Sequence, residues 1–74
     1  MTTKSLADYD RAIQLNPYNA IAYVNRGLAK YALGRNQEAI TDYDRAIKLD
    51  PNYANAYKNR GIAKSNLGKN QDAI

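Results

Sequence analysis

The chain has 74 residues, a net charge of +4 and neither cysteine nor histidine. These counts exclude a disulfide framework, a Cys/His zinc site, a thiol nucleophile and a histidine general base. The moderate excess of lysine and arginine is an ordinary solubility charge, and it would also attract an acidic partner. Since no apolar run has the length of a membrane span and no signal peptide follows Met1, we expect a cytoplasmic protein that does not contact a membrane.

The sequence repeats itself with a period of 34 residues. The segment 8–13 (DYDRAI) returns at 42–47, and the segment 25–27 (NRG) returns at 59–61. About 22 of the 40 overlapping positions are identical. A fixed period of this length indicates an array of helical repeats, in which each unit stacks on its neighbours.

Apolar residues spaced three and four apart predict two helices within each period. Two of these patterns are followed by glycine, and we expect Gly34 and Gly68 to end their helices in the left-handed conformation. The other two stop before Pro17 and Pro51, because proline cannot continue the helical hydrogen-bond ladder. In chain order, the predicted helices cover about 4–15, 20–33, 37–49 and 54–67, and a further helix begins near 70.

The helix starts carry signals of their own. Asn19 and Asn36 can accept hydrogen bonds from the first free amides of the helices that follow them. Glu38 lies in a first turn, where a negative charge is favourable. No segment shows the alternating pattern of a strand. The sequence therefore predicts an all-α protein.

Taken together, the period and its residues resemble the tetratricopeptide repeat, a family of 34-residue helix-turn-helix units. The complete unit carries the family pattern at Tyr23, Gly27, Ala39, Tyr43, Ala46 and Pro51. The pattern recurs after it at Tyr57, Gly61 and Ala73, and before it at Tyr9, Ala12 and Pro17. The chain departs from it at Arg26, Lys30, Arg60 and Lys64, where many members carry leucine or an aromatic residue.

The resemblance implies tandem antiparallel helix pairs that form a short right-handed α-solenoid. Residues 1–74 would form a single solenoid fragment, made of the second helix of a preceding repeat (1–19), a complete repeat (20–53), and the first helix and the start of the second helix of a following repeat (54–74). Small residues such as Gly27 would let paired helices approach closely, and tyrosines such as Tyr43 would fill the space between them.

In this family the first helices of the repeats line a concave face, on which peptides usually bind. On the two first helices the packing residues are identical, while the inner stripe differs between the copies. A binding surface is where such variation is expected. The candidate peptide-binding residues are Val24, Asn25, Leu28, Tyr31, Asn55, Lys58, Asn59 and Ile62.

The charges of the two helix types also differ. The first helices carry only cations, namely Arg26, Lys30, Lys58, Arg60 and Lys64, whereas the second helices carry most of the acids. This distribution predicts a basic inner face that would attract an acidic peptide. The alternative is that the cations are ordinary solvated side chains, with stems that pack along apolar surface. For Tyr31 we keep two interpretations, stacking on a peptide and burial under a neighbouring helix.

The two ends of the sequence match in register. Ser5-Leu6 corresponds both to Ala39-Ile40 and to Ala73-Ile74, and neither end has the polar cap of a finished solenoid. One interpretation is a piece of a longer array. The other is a homo-oligomer, in which residues 4–15 of one molecule pack on residues 54–74 of the next, head to tail or by exchange of helices.

These patterns favour a non-catalytic protein–protein interaction module, which binds a peptide on its concave face or associates through its repeat ends. The alternative is a self-assembling or domain-swapped scaffold with no separate ligand. We expect no nucleic-acid partner, since the basic residues lack an aromatic platform or a recognition motif. We also expect no catalytic residue, metal or cofactor, since the paired carboxylates at 8/10 and 42/44 point to different sides of their helices.

Overall fold

The computed structural model describes the backbone of residues 2–72 and the side chains of residues 6–68. This part of the chain contains no strand, which confirms the all-α fold. Ala73, one of the residues that carry the repeat pattern, and Ile74 lie outside the described residues. The helices, in chain order, are α1 (Thr2–Leu15), α2 (Ala20–Ala32), α3 (Asn36–Leu49) and α4 (Ala54–Asp72).

The turn between α2 and α3 follows the prediction from Gly34. This glycine has φ +81°, a left-handed conformation that costs glycine little. Its amide donates to the carbonyl of Tyr31 at 2.9 Å, and the amide of Arg35 donates to the carbonyl of Lys30 at 2.8 Å. This pair of bonds satisfies carbonyls that the end of α2 would leave free. The chain therefore reverses within a few residues and brings α3 back against α2.

The two proline-containing turns share one local structure. Asn16 accepts a hydrogen bond from the amide of Tyr18 at 3.1 Å, and Asp50 accepts one from the amide of Asn52 at 3.2 Å. A side-chain oxygen that binds an amide two residues ahead stabilises a turn in place of a helix. After the first of these turns, Asn19 caps α2 as predicted, through a bond from the amide of Ile21 at 3.1 Å.

Asn36 does not have the capping role that we predicted. The helix begins one residue earlier than expected, because the carbonyl of Arg35 already accepts from the amide of Ala39 at 3.0 Å. Arg35 is therefore the capping residue, and it makes no side-chain bond to the helix start. Asn36 lies inside the first turn, and within the described part of the chain its buried Oδ1 has no hydrogen-bond partner.

The prediction that Gly68 ends its helix is also wrong, because α4 continues through it to Asp72. After Gly34 the turn is held by α3, whose Ala39, Tyr43 and Ala46 pack against α2. Within the described residues, no helix follows Gly68 to pack back against α4. Continuing the helix satisfies the backbone groups of residues 69–72, at a cost of about 1 kcal/mol for one interior glycine.

The core lies between α2 and α3 and extends to α4. Tyr43 is the largest fully buried side chain, with 1% of its surface exposed. Its ring lies against Gly27, so closely that an added Cβ there would be 2.6 Å from Tyr43 Cε1. Ala56 and Ala63 of α4 complete the buried cluster, and Ile13 of α1 packs against its other side. The small residues of the pattern thus permit the close helix contact that the sequence predicts.

Candidate interaction surface

The helices α2 and α4 occupy equivalent positions in successive repeats, and each exposes one stripe. Side chains four and seven residues apart lie on the same side of a helix. Leu28 is 41% exposed and Ile62 is 44% exposed, although both are large and apolar. Asn25 and Asn59, at equivalent positions, are half-buried. We define the α2–α4 stripe as Ile21, Asn25, Leu28, Asn55, Asn59 and Ile62.

Val24 does not belong to this surface. It is only 3% exposed and lies in the buried cluster that includes Ala56 and Ala63 of α4. The prediction that it contacts a ligand is therefore wrong, because the edge of α2 that carries Val24 packs toward the next repeat. The equivalent residue in α4 is Lys58, which is exposed.

Tyr31 also lies between the repeats. Its ring packs against the core, and its hydroxyl accepts a hydrogen bond from Asn66 Nδ2 of α4 at 2.6 Å. Of the two interpretations given above, burial under a neighbouring helix is the one that the structure shows. The equivalent residue in α4 is Ser65, which is exposed. The edge of α2 is thus apolar and aromatic, whereas the corresponding edge of α4 is polar.

Two of the cations assigned to a basic inner face are instead bound to acids. Arg26 makes a two-pronged contact with Asp42, from Nε at 3.0 Å and from Nη2 at 2.7 Å. Its Nη1 donates to Asp10 of α1 at 3.0 Å. Lys30 Nζ lies 3.2 Å from the same Asp42 and 3.9 Å from Glu38. The basic-face prediction is therefore wrong for Arg26 and Lys30, which face the second helices.

Burial changes the ionisation of this region. The hydrogen bond to Asp42 raises the pKa of Arg26 above its ordinary value, and the loss of solvent around the guanidinium partly opposes that rise. Burial raises the pKa of Tyr43 to about 12, with smaller contributions from Tyr31 and Asp42. Asp42 itself is 3% exposed in its side chain. A buried carboxylate that lost its cations would destabilise the fold, so these ion pairs fix the position of α3 on α2.

The third paired cation is Arg60, which donates to Asp44 Oδ1 of α3 at 2.7 Å and lies 5.3 Å from the centre of the Tyr57 ring. It repeats the Arg26–Asp10 contact one period later, so this cation too faces a second helix. Of the five cations of the first helices, Lys58 and Lys64 are the exposed ones. The remaining positive surface on α4 is therefore small.

Sequence reasoning missed this ionic network, although its signal is present in the sequence. The arginine of each NRG segment stands 16 residues from an aspartate of a DYD segment, in the contacts of Arg26 with Asp10 and Asp42 and of Arg60 with Asp44. Because both segments are identical in the two repeats, a constant spacing between opposite charges indicates a repeated interhelix contact.

The described residues offer neither a metal site nor a membrane span. Within residues 6–68, no three His, Cys, Asp or Glu side chains are grouped so as to hold a metal ion. None of the four helices, over the residues described, has both the length and the apolar character needed to cross a membrane.

Comparison with known families gives a match along most of the chain. A family model described as TPR repeat matches residues 2–34 and residues 27–68. A search of curated proteins finds no match. The two matched segments overlap and together include all of the packing and ionic contacts described above. The chain therefore belongs to the TPR repeat family, whose members are in general non-catalytic protein–protein interaction modules.

Proposed function

We propose that this chain binds an extended or helical peptide along the α2–α4 stripe. The observation that carries the proposal is the exposure of large apolar side chains along two equivalent helices. Ile21, Leu28 and Ile62 are 58%, 41% and 44% exposed. They lie beside the half-buried amides of Asn25 and Asn59. Exposed apolar side chains beside polar ones are typical of a surface that buries a partner.

The residues of the stripe suggest how a peptide is held. Leu28 and Ile62 are the apolar anchors, since each has more than two fifths of its surface available to bury. Asn25 and Asn59 each offer an amide donor and an amide acceptor to a peptide backbone. Lys58 is exposed at the edge of α4 and would attract an acidic residue of the ligand. Val24 and Tyr31 hold the two repeats together and take no part.

The experiment is a selection of binders from a random peptide library displayed on phage. We expect peptides selected on the unaltered chain to lose about tenfold or more in affinity on Leu28→Asp and on Ile62→Asp, since each places a charge where an apolar contact is made. Leu15→Asp is the matched control, because Leu15 is an exposed apolar residue outside the stripe. Binders that respond to Leu15→Asp and not to the stripe variants would contradict the proposal.

The charge of the ligand is tested separately. If the selected peptides are acidic, Lys58→Glu should weaken their binding and should reduce its dependence on salt, because one attractive pair becomes repulsive. Equal affinity and equal salt dependence would show that Lys58 does not contact the ligand, and the stripe would then act through its apolar and amide groups alone.

Self-association through the repeat ends is a second candidate function. The observation that favours it is a face of α4 that the described residues leave uncovered, although the same face of α2 is buried. This surface does not include the residues of the α2–α4 stripe.

A further inference from the structure

One face of α4 carries the same residues that α3 covers on α2, yet most of them are exposed. Tyr23 is 8% exposed, whereas the equivalent Tyr57 is 43% exposed. Gly27 is in tight contact with the Tyr43 ring, whereas a Cβ at Gly61 would meet no atom of the described residues within 4 Å. We call Tyr57, Arg60, Gly61 and Lys64 the α4 face.

The equivalent face of α2 shows which groups fit such a surface. Tyr43 of α3 places its ring on Gly27, and Asp42 accepts from Arg26 and lies 3.2 Å from Lys30. The guanidinium of Arg45 lies over the Tyr23 ring at 5.9 Å. A ligand for the α4 face therefore needs an aspartate followed by a tyrosine on one helix, with an arginine two residues further on.

The helix α1 carries this same segment at residues 8–11. In α3 the aspartate and tyrosine of the segment are 2% and 1% exposed. In α1, Asp8 is exposed and Tyr9 is only half-buried. The contacts of α1 with the rest of the chain include those of Asp10, which accepts from Arg26, and of Ile13, which packs against the core. A shift of 34 residues relates α1 to α3 and likewise relates α2 to α4. The helix α1 therefore carries the groups that α3 places on α2, and these are the groups that the α4 face lacks.

The path of α4 keeps that position accessible. At Gly34 the chain turns and lays α3 along α2. At Gly68 it does not turn, and the helix continues straight to Asp72. Over the described residues, the chain therefore does not fold back across its own α4 face.

We propose that the α4 face binds α1 of a second copy of this chain. Tyr9 of the second copy lies on Gly61, as Tyr43 lies on Gly27. Asp8 accepts from Arg60 and Lys64, as Asp42 pairs with Arg26 and Lys30. The opposite charges and the open space at Gly61 together favour this occupant over an unrelated helix. The contact is heterologous, because the α1 end of one copy meets the α4 end of the next, so it joins copies head to tail.

The joint between copies is weaker than the joint within the chain. Within the chain, Val24 and Tyr31 of α2 pack toward α4 and are covered by it. At the joint between copies their places are taken by Lys58 and Ser65, which are polar. The apolar contact that Val24 and Tyr31 make within the chain is therefore not reproduced between copies. We expect association that depends on protein concentration and not a permanent oligomer.

The first test measures mass by sedimentation velocity between about 10 μM and 1 mM protein, a range that detects weak self-association. We expect the mean mass to rise with concentration. Gly61→Ala should weaken association about tenfold or more, because a Cβ would occupy the place of the tyrosine ring. Gly68→Ala is the matched control, since it fills open space in the same helix and should leave association unchanged.

A mixing experiment tests the direction of the contact. Asp8→Arg alters only the α1 end and should repel Arg60 and Lys64, while Gly61→Ala alters only the α4 end. Each variant alone should remain largely monomeric. An equimolar mixture should form one-to-one dimers, because the intact α1 of one variant meets the intact α4 face of the other. A mixture that stays as monomeric as its components would overturn the head-to-tail contact.

Two further results would also overturn the proposal. One is a chain that keeps its monomer mass of 8.3 kDa over the whole concentration range. The other is a monomeric chain whose α4 face binds a synthetic peptide of residues 36–49, since the occupant would then be a second helix from elsewhere. Leu28→Asp and Ile62→Asp should not change association, so these outcomes are separate from the failure of peptide binding on the stripe.

Discussion

The helices α2 and α4 have the same tyrosine, the same Arg-Gly pair and the same lysine in register, yet these residues lie in different environments. On α2 these residues are covered by α3, and on α4 most of their surface is open. The difference shows that burial in a repeat protein belongs to the contact between neighbours and not to the residue type alone. Identical residues should therefore respond differently to the same substitution.

The largest difference is expected between the two tyrosines of the second helices. Tyr43→Ala removes the largest fully buried side chain and should cost about 3–5 kcal/mol, most of what holds a chain of this size together. Tyr9→Ala removes a half-buried ring from α1 and should cost about 1–2 kcal/mol. Urea denaturation followed by circular dichroism measures both values. Similar losses at the two positions would show that α1 and α3 are covered equally.

The aspartates of α3 give the next comparison. Asp42→Asn leaves Arg26 and Lys30 without their shared buried carboxylate and should cost about 3 kcal/mol. Asp44→Asn breaks only the solvent-exposed pair with Arg60 and should cost less than about 1 kcal/mol. The same denaturation assay applies, with 1 M salt as a further condition. Salt should reduce the small loss of stability caused by Asp44→Asn and leave most of the large loss caused by Asp42→Asn. If salt instead reduced mainly the loss caused by Asp42→Asn, the result would contradict a buried ionic cluster.

Alkaline pH tests the environment of Tyr43. Burial raises its pKa from 10.0 to about 12, so the folded state holds the phenolic proton more tightly than the unfolded state. The contribution of this group to the free energy of unfolding is fully present below pH 10 and is lost as the pH rises toward 12. A shift of this size corresponds to about 2–3 kcal/mol. Tyr43→Phe should remove this part of the pH dependence, and an unchanged pH profile would mean that the hydroxyl is solvated.

The two glycines should give effects of opposite sign. Gly27→Ala places a Cβ 2.6 Å from the Tyr43 ring and should destabilise the fold by about 1–2 kcal/mol after the gain in helix propensity. Gly61→Ala meets no atom and should stabilise the monomer by about 0.5–1 kcal/mol. Thermal unfolding at low protein concentration, where copies do not meet, measures both changes. Destabilisation by Gly61→Ala in these conditions would show that the α4 face is already filled.

Much of the fold follows from the sequence, because the repeat signals are local. Gly34, the two prolines and Asn19 act through the backbone beside them, and each behaves as its residue type predicts. The close contact of Gly27 with Tyr43 also follows, since the period pairs a small residue with a large one. Gly68 differs because a turn persists only when the helix after it packs back, and within the described residues no helix after Gly68 does so.

The candidate site was harder to predict than the fold. A helical projection places Val24 beside Asn25, but only the neighbouring helix decides that Val24 is buried and Asn25 is not fully so. The same limit applies to Arg26. Its charge predicts exposure to solvent, and the pairing becomes evident only from its partners Asp10 and Asp42, which lie 16 residues away on either side in the sequence. The 34-residue period shows which residues are equivalent. Only the packed structure shows which neighbouring helix covers each of them.

The most direct measurement is amide hydrogen exchange, resolved by residue, at low and at high protein concentration. At low concentration we expect the amides of α4 near Gly61 to exchange much faster than those of α2 near Gly27, because only the latter are covered. At high concentration the α4 amides should become protected while those of α2 do not change. Equal protection of the two helices at every concentration would contradict both the uncovered face and its occupation by a second copy.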